Sequence, residues 1–178
     1  MFNIRALEDH DIPLIVAAFS QIGWNKPASL FQEYLNEQRA SERFVWVAFN
    51  QDKFLGYVTL KLHSEYLPFQ EDNIPEIKDL NVLPIYRKQG IGSALIQKAE
   101  DKALAFGKWV GIGVGLTADY GEAQKMYVKR GYVPDGRGVT YTYKTVEWDC
   151  DYKVNDDLVL WFIKGFASES NIKPENNL

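Results

Sequence analysis

The stretch Tyr86-Arg87-Lys88-Gln89-Gly90-Ile91-Gly92-Ser93-Ala94-Leu95 sets two glycines one residue apart behind two basic side chains. A helical apolar pattern follows directly, with Ile91, Leu95, Ala99 and Ala103 on one face and Ile96 beside them. The first N–H groups of a helix have no partner within it, and the helix dipole adds to their attraction for anions. A phosphate reaches those nitrogens only where no side chain stands in the way, and Gly90 and Gly92 clear that approach. Ser93 adds a hydroxyl or a cap. The chemistry this spacing points to is the grip of a phosphate or diphosphate.

The flanking sequence must position that loop. Residues 76–83 read as a strand stopped by Pro84, so the loop joins a strand end to a helix start. The helix is expected to run to about Phe106, with Gly107 just past its end. Residues 109–116, Trp-Val-Gly-Ile-Gly-Val-Gly-Leu, form the next strand. Its period of two sends Ile112, Val114 and Leu116 to one face and Gly111, Gly113 and Gly115 to the other. Such a glycine row marks close approach, either by a ligand in a groove or by a helix packed on that face.

Upstream, residues 2–5 read as a strand, and helices are expected from Asp11 and from Ser29. Residues 43–62 read as a hairpin, and 63–75 as a loop containing two prolines. Downstream, a helix covers about 120–130 and ends at Gly131, with strands near 139–147 and 157–163. The order β α α β β β α β α β β predicts a mixed α/β sheet with a right-handed crossover through the glycine loop. Residues 1–165 are expected to form a single domain and 166–178 a polar tail.

Composition narrows the function classes. The chain has 178 residues and a formal net charge of −4, which disfavours nucleic acid as a general partner. A single cysteine, Cys150, excludes an intrachain disulfide and a paired-cysteine metal site. His10 and His63 are far apart in sequence, and no metal is expected. No leader-like segment and no run near the roughly 20 apolar residues of a membrane span is visible, so no membrane partner is expected and the cytoplasm is the default location.

Three phosphate loops compete for the glycine motif. The P-loop requires G-x-x-x-x-G-K-[ST], which is absent. The dinucleotide fingerprint requires a third glycine, where this chain has Leu95. The pattern [RQ]-x-x-G-x-[GA] is met by Arg87, Lys88, Gln89, Gly90, Ile91 and Gly92. With Asp79-Leu80-Asn81-Val82-Leu83-Pro84-Ile85-Tyr86-Arg87 before it and Met126-Tyr127-Val128-Lys129-Arg130-Gly131-Tyr132 after it, the sequence resembles the GNAT superfamily of N-acetyltransferases. The resemblance covers about residues 2–165, with its specific part at 79–132.

The resemblance implies a mixed, mostly antiparallel sheet of about seven strands flanked by about four helices. It implies acetyl-CoA as co-substrate, its pyrophosphate held by Arg87, Lys88, Gln89, Gly90, Ile91, Gly92, Ser93 and Ala94. The backbone around Asn81, Val82 and Leu83 would meet the pantetheine arm and the acetyl carbonyl, with the arm lying between splayed strands 76–83 and 109–116. Tyr127 matches the family tyrosine that protonates the leaving thiolate. A carboxylate on strand 76–83 serves as base in many relatives, and Glu76 and Asp79 are the candidates. They differ by three residues, so only one can serve unless a bulge brings both to one face. Many relatives carry Asn seven residues before the tyrosine as a cofactor contact; here Tyr120 stands there, beside Asp119.

The implied reaction is direct attack of an amine on a thioester. An alkylamine has a pKa of about 10, so a base or a desolvating pocket must help remove its proton. The acceptor pocket is expected between loops 20–28, 63–75 and 147–157. These supply Trp24, Tyr66, Phe69, Trp148 and Tyr152, with Glu65, Glu71, Asp72, Glu147, Asp149, Asp151, Asp156 and Asp157. A small-molecule amine fits that lining, and a homodimer stays open. The rivals are transfer of a different acyl group, a non-catalytic acyl-CoA sensor, and a nucleotide-binding α/β protein.

Overall fold

The run Arg-Phe-Val-Trp-Val-Ala-Phe-Asn is apolar on both faces, so the sheet it joins must be covered on both sides. The computed structural model describes residues 1–166 and shows that cover. The strands are β1 (Asn3–Ala6), β2 (Arg43–Asn50), β3 (Lys53–Lys61), β4 (Glu76–Val82), β5 (Trp109–Gly115), β6 (Val133–Tyr141), β7 (Lys144–Thr145) and β8 (Leu158–Gly165). The helices are α1 (Ile12–Gln21), α2 (Ala28–Arg39), α3 (Leu67–Glu71), α4 (Ile91–Ala103) and α5 (Gly121–Lys129). All eight strands form one sheet in the order β1-β2-β3-β4-β5-β8-β6-β7.

One face of the sheet packs on α4. Ala48, Val58, Leu60 and Ile77 meet Leu95, Ile96 and Ala99 there, all buried. The other face packs on α1 and α2, where Val45, Val47 and Tyr57 meet Ile15, Phe19, Phe31 and Leu35. A third, smaller cluster joins Tyr66, Phe69 and Ile74 to Trp161 of β8.

Every pairing is antiparallel except β4 with β5, the two strands joined through α4. That parallel pairing holds only at Glu76↔Gly111 and Ile77↔Ile112. β5 continues its pairing with β8 as far as Gly115↔Val159. Beyond Ile77 the two strands therefore part, and the sheet opens toward the start of α4.

The mixed, mostly antiparallel sheet agrees with the expected fold, and the element count differs for local reasons. The expected strand 139–147 is a hairpin, β6 and β7, because Thr142 (φ 49°) and Tyr143 (φ 66°) turn the chain. Proline at the first turn of α3 helps make a short helix where a loop is expected. α4 ends at Ala103 rather than near Phe106, and Gly107 lies beyond it. Of the tail expected at 166–178, only Phe166 is described: its amide donates to the Lys108 carbonyl (2.8 Å). Residues 167–178 lie outside the described residues.

Candidate active site

The strand-to-helix junction leaves the first amides of α4 without partners in the helix. β4 ends at Val82, a single 3-10 turn spans Pro84–Tyr86, and the chain passes through Lys88 (φ 61°) to Gly90 (φ 81°), which caps the start of α4. The first bond within the helix runs from the Ala94 amide to the Gly90 carbonyl (3.0 Å), so the amides of Ile91, Gly92 and Ser93 point out of its N-terminus. A Cβ on Gly92 would come no closer than 3.6 Å to Val82 Cγ2 and 3.8 Å to Met126 Sδ. Packing within the chain therefore does not require glycine here, and the space it leaves faces the groove. That observation fits the diphosphate of acetyl-CoA.

The side chains around this turn are tied in place. Arg87 Nε donates to the Val82 carbonyl (3.2 Å), with its guanidinium 5.7 Å from the centre of the Trp24 ring. Gln89 Nε2 donates to the Ile85 carbonyl (3.3 Å). Ser93 Oγ accepts from Arg130 Nη1 (2.9 Å) and makes no cap bond to the helix. Arg130 was not singled out by sequence; its guanidinium also binds buried Glu100 through Nε (3.1 Å) and Nη2 (2.5 Å). It thus fixes the end of α5 against α4 beside the cradle.

A groove of about 1250 Å³ runs from this turn into the opening between β4 and β5. Of the expected cofactor residues, Asn81, Val82, Arg87, Lys88, Gly90, Gly92, Ser93 and Tyr120 line it. Leu83, Gln89, Ile91 and Ala94 do not. Leu83 is buried against α1 and α2, and its amide already donates to Leu55 (2.9 Å). The Ala94 amide is likewise taken by Gly90, and the Ile91 side chain is core. Only the Ile91 amide faces outward at that position.

Both candidate carboxylates line the same groove, and a bulge is the reason. Tyr57 faces Asn81 and Thr59 faces Lys78, so Val58 alone stands opposite Asp79 and Leu80. Asp79 takes φ 53° there and turns onto the face shared by Glu76 and Lys78. Its Oδ1 accepts from Lys26 Nζ (2.8 Å) and Asn81 Nδ2 (2.7 Å), and its Oδ2 from the hydroxyls of Tyr34 (2.9 Å) and Tyr57. Burial alone would raise its pKa; Lys26 and the two phenols outweigh that and hold it below the ordinary carboxylate range. Glu76 is 2 % exposed and has fewer donors. Ser64 Oγ donates to its Oε2 (2.6 Å), and Lys78 Nζ lies 3.9 Å from Oε1. Burial pushes Glu76 above the usual range, only partly offset by Lys78 and Ser64.

Tyr127, on α5, lines the groove with 5 % of its surface exposed. No hydrogen bond from a described residue engages its hydroxyl, and burial raises its pKa, so the phenol keeps its proton at neutral pH. Tyr120 donates to Asp156 Oδ1 (2.8 Å), so its hydroxyl is already committed while its ring walls the groove. The glycine row of β5 is met by aromatic rings, Phe69 of helix α3 among them, and Gly113 and Gly115 also line the groove. A Cβ on Gly111 would fall 2.0 Å from Phe69, one on Gly113 2.9 Å from Trp161, and one on Gly115 2.5 Å from Tyr120.

The acceptor end differs from the expected lining. Trp24, Asp156 and Asp157 are at the groove. Tyr66 and Phe69 are instead core, with Tyr66 stacked on Trp161 at 4.2 Å, because α3 tucks them inward. Trp148 is 97 % exposed and, like Tyr152, does not line the groove. Glu65 pairs with Lys61 and Lys78. Lys26, Lys78 and Tyr143, none singled out by sequence, bracket the groove instead. Apart from Glu76 beside Lys78, their partners are distant in the chain, so no local spacing signals those contacts. Among the described residues no cluster of His, Cys, Asp and Glu could hold a metal, and no helix is long and apolar enough to cross a membrane.

The sequence model of the acetyltransferase (GNAT) family matches residues 12–132. No curated protein sequence matches the chain. Among solved structures, the chain is similar to a ribosomal-protein-alanine N-acetyltransferase from Brucella melitensis, with 16% identity and a TM-score of 0.67 over 92% of this chain and 99% of that one. It is similar to a spermidine N-acetyltransferase chimera from Vibrio cholerae, with 16% identity and a TM-score of 0.64 over 92% and 95%. It is also similar to Arabidopsis thaliana NAA60 in complex with acetyl-CoA, with 18% identity and a TM-score of 0.66 over 93% and 98%. At these identities the likeness shows the fold, and the neighbours' names include both a protein and a polyamine acceptor.

Proposed function

The chain belongs to the acetyltransferase (GNAT) family, and from that premise we propose that it acetylates the primary amine of a small molecule by direct attack. Acetyl-CoA is the co-substrate, and it supplies the acetyl group as a thioester. The observation that carries the reading is the parting of β4 from β5 beyond Ile77, opening on the α4 N-terminus, with Glu76 and Tyr127 along one groove.

The residues along the groove divide the work in this reading. The amides of Ile91, Gly92 and Ser93 hold the diphosphate. The β5-facing backbone of residues 78–82 has no partner strand and offers main-chain groups to an extended arm. Glu76 takes the proton of the acceptor ammonium. Its burial suits it to this task, since a carboxyl raised toward neutral pH is a stronger base than one held low. Asp79, with four donors and a lowered pKa, braces Lys26, Tyr34 and Tyr57 rather than moving a proton. Tyr127 holds a proton at its hydroxyl for the leaving sulfur.

Two contacts bracket the acceptor end and favour a slim amine. Lys26 reaches Asp79 from the α1–α2 loop, and Lys78 reaches Tyr143 at the β6–β7 turn. The experiment is free-thiol release from acetyl-CoA against a panel of small amines and one peptide with a free N-terminus. Release with a small amine supports the reading, and release with the peptide alone replaces it with a protein acceptor. Release only with another acyl-CoA changes the acyl group. Bound CoA with no release from any pair points to a sensor.

A further inference from the structure

Lys78 stands two residues after Glu76 on β4, before the bulge, so strand periodicity puts both side chains on one face. Its ammonium has three neighbours. Nζ lies 2.8 Å from Glu65 Oε2, 2.9 Å from Tyr143 Oη and 3.9 Å from Glu76 Oε1. The Tyr143 ring centre is 5.5 Å from the same Nζ. The backbone beneath is fixed as well, because Thr59 Oγ1 donates to the Lys78 carbonyl (3.0 Å). Lys78 and Glu76 both line the groove.

The groups facing Glu76 are few. Ser64 brings a hydroxyl, and Glu65, next in the chain, brings a negative charge that binds Lys78. Lys61 on β3 is paired in register with Glu76, but Glu65 takes its ammonium. Gly111 on β5 brings no side chain. Lys78 is thus the one cation within 4 Å of the Glu76 carboxylate among the described residues.

We propose that Lys78 is a positioning residue for Glu76: its ammonium, held by Glu65 and the Tyr143 hydroxyl, keeps the buried carboxylate ionised and ready to accept the acceptor's proton. This rests on the reading of Glu76 as the base. Without that charge, only the Ser64 hydroxyl and the more distant Lys61 oppose burial, and the protonated form of Glu76, which cannot act as a base, persists to higher pH. Tyr143 takes part through Lys78, so the seating of the β6–β7 turn and the state of the base are linked.

The test is a titration of 13C-labelled glutamate carboxyls by NMR in the full chain, with E76Q assigning the Glu76 resonance. In K78M the Glu76 midpoint is expected to rise by about one pH unit, the low end for loss of an opposite charge at this range. K78Q, which keeps a polar tip without charge, should show the same rise, and K78R should leave the midpoint in place. With acetyl-CoA and an amine turned over in the release assay, the acid limb of kcat/KM should move up with the midpoint in K78M. An unmoved midpoint in folded K78M and K78Q overturns the proposal, as does a K78R that shifts as far as K78M. If E76Q keeps wild-type turnover, the base reading itself falls; if E76Q is inactive and the Lys78 variants shift nothing, only the inference falls.

Discussion

Glu76 and Asp79 present their carboxylates to one groove although they stand three positions apart, because the bulge opposite Val58 turns Asp79 onto the Glu76 face. The two groups then diverge in charge behaviour. Asp79 has four donors and is held low; Glu76 has a hydroxyl and a more distant ammonium and is held high. One bulge thus sets on one groove two carboxylates whose pKa values are shifted in opposite directions.

That divergence predicts opposite stability effects. Glu76 is raised above its unfolded value, so ionising it costs the folded state once the pH passes that value. Glu76→Gln removes this cost and should melt no lower than wild type at pH 7, while turnover falls about 10²- to 10⁴-fold, the usual range for losing a base. Asp79→Asn should lower stability at pH 7 by about 1–3 kcal/mol, since it leaves Lys26 partly buried without its anion. A lower Tm for Glu76→Gln than for Asp79→Asn would contradict this assignment.

The pH dependence of stability follows with the same signs. Asp79 is depressed, so its contribution is complete above its unfolded value and is lost as the pH falls through the folded one. Glu100, held low by Arg130 and Lys164 against its own burial, behaves likewise. Thermal melts should therefore fall steeply on the acid side, and Asp79→Asn should flatten that fall. An acid limb of equal steepness in the variant would show that Asp79 does not carry it.

The glycine row on β5 shows how far sequence alone reaches. Its period of two and close approach are legible in Gly111, Gly113 and Gly115, but not the approaching group. Phe69 sits in a segment read as loop, and only the tucked α3 sets its ring against Gly111. The strand–turn–helix junction at 82–91 was legible because it is local: one turn, two glycines, one helix. Lys26 and Arg130 meet their partners across the fold, as Lys78 meets Glu65 and Tyr143, and no spacing in the chain encodes those meetings. Gly111→Ala should therefore destabilise the protein by about 1–3 kcal/mol, the usual cost of overpacking, measured by urea unfolding. An unchanged midpoint would mean that Phe69 can leave its place freely.

At the cradle the glycines separate by cause. Gly90 holds φ 81°, so Gly90→Ala should cost about 1–2 kcal/mol of stability through backbone strain. Gly92 has no such strain, and its Cβ would find ordinary contacts. Gly92→Ala should therefore fold normally, and Gly92→Val should weaken CoA binding about ten- to hundredfold, the equivalent of losing one charge-assisted hydrogen bond. Calorimetry with CoA reads this directly, and wild-type affinity would remove the cradle from the site.

Tyr127 combines burial with a hydroxyl that no described residue engages, on a helix that begins beside the end of β5. A phenol placed only for packing loses little when its oxygen is removed, because the ring at 5.9 Å from Tyr132 keeps its contacts. A phenol that supplies a proton to departing sulfur loses the reaction and keeps the fold. Tyr127→Phe should therefore leave CoA affinity and Tm near wild type while cutting kcat about a hundredfold, the low end for general acid catalysis. The deficit should shrink with an acyl donor whose thiol has a lower pKa, since a better leaving group needs the proton less. Equal deficits for the two donors would assign Tyr127 to binding or packing and leave the acid to be sought elsewhere along the groove.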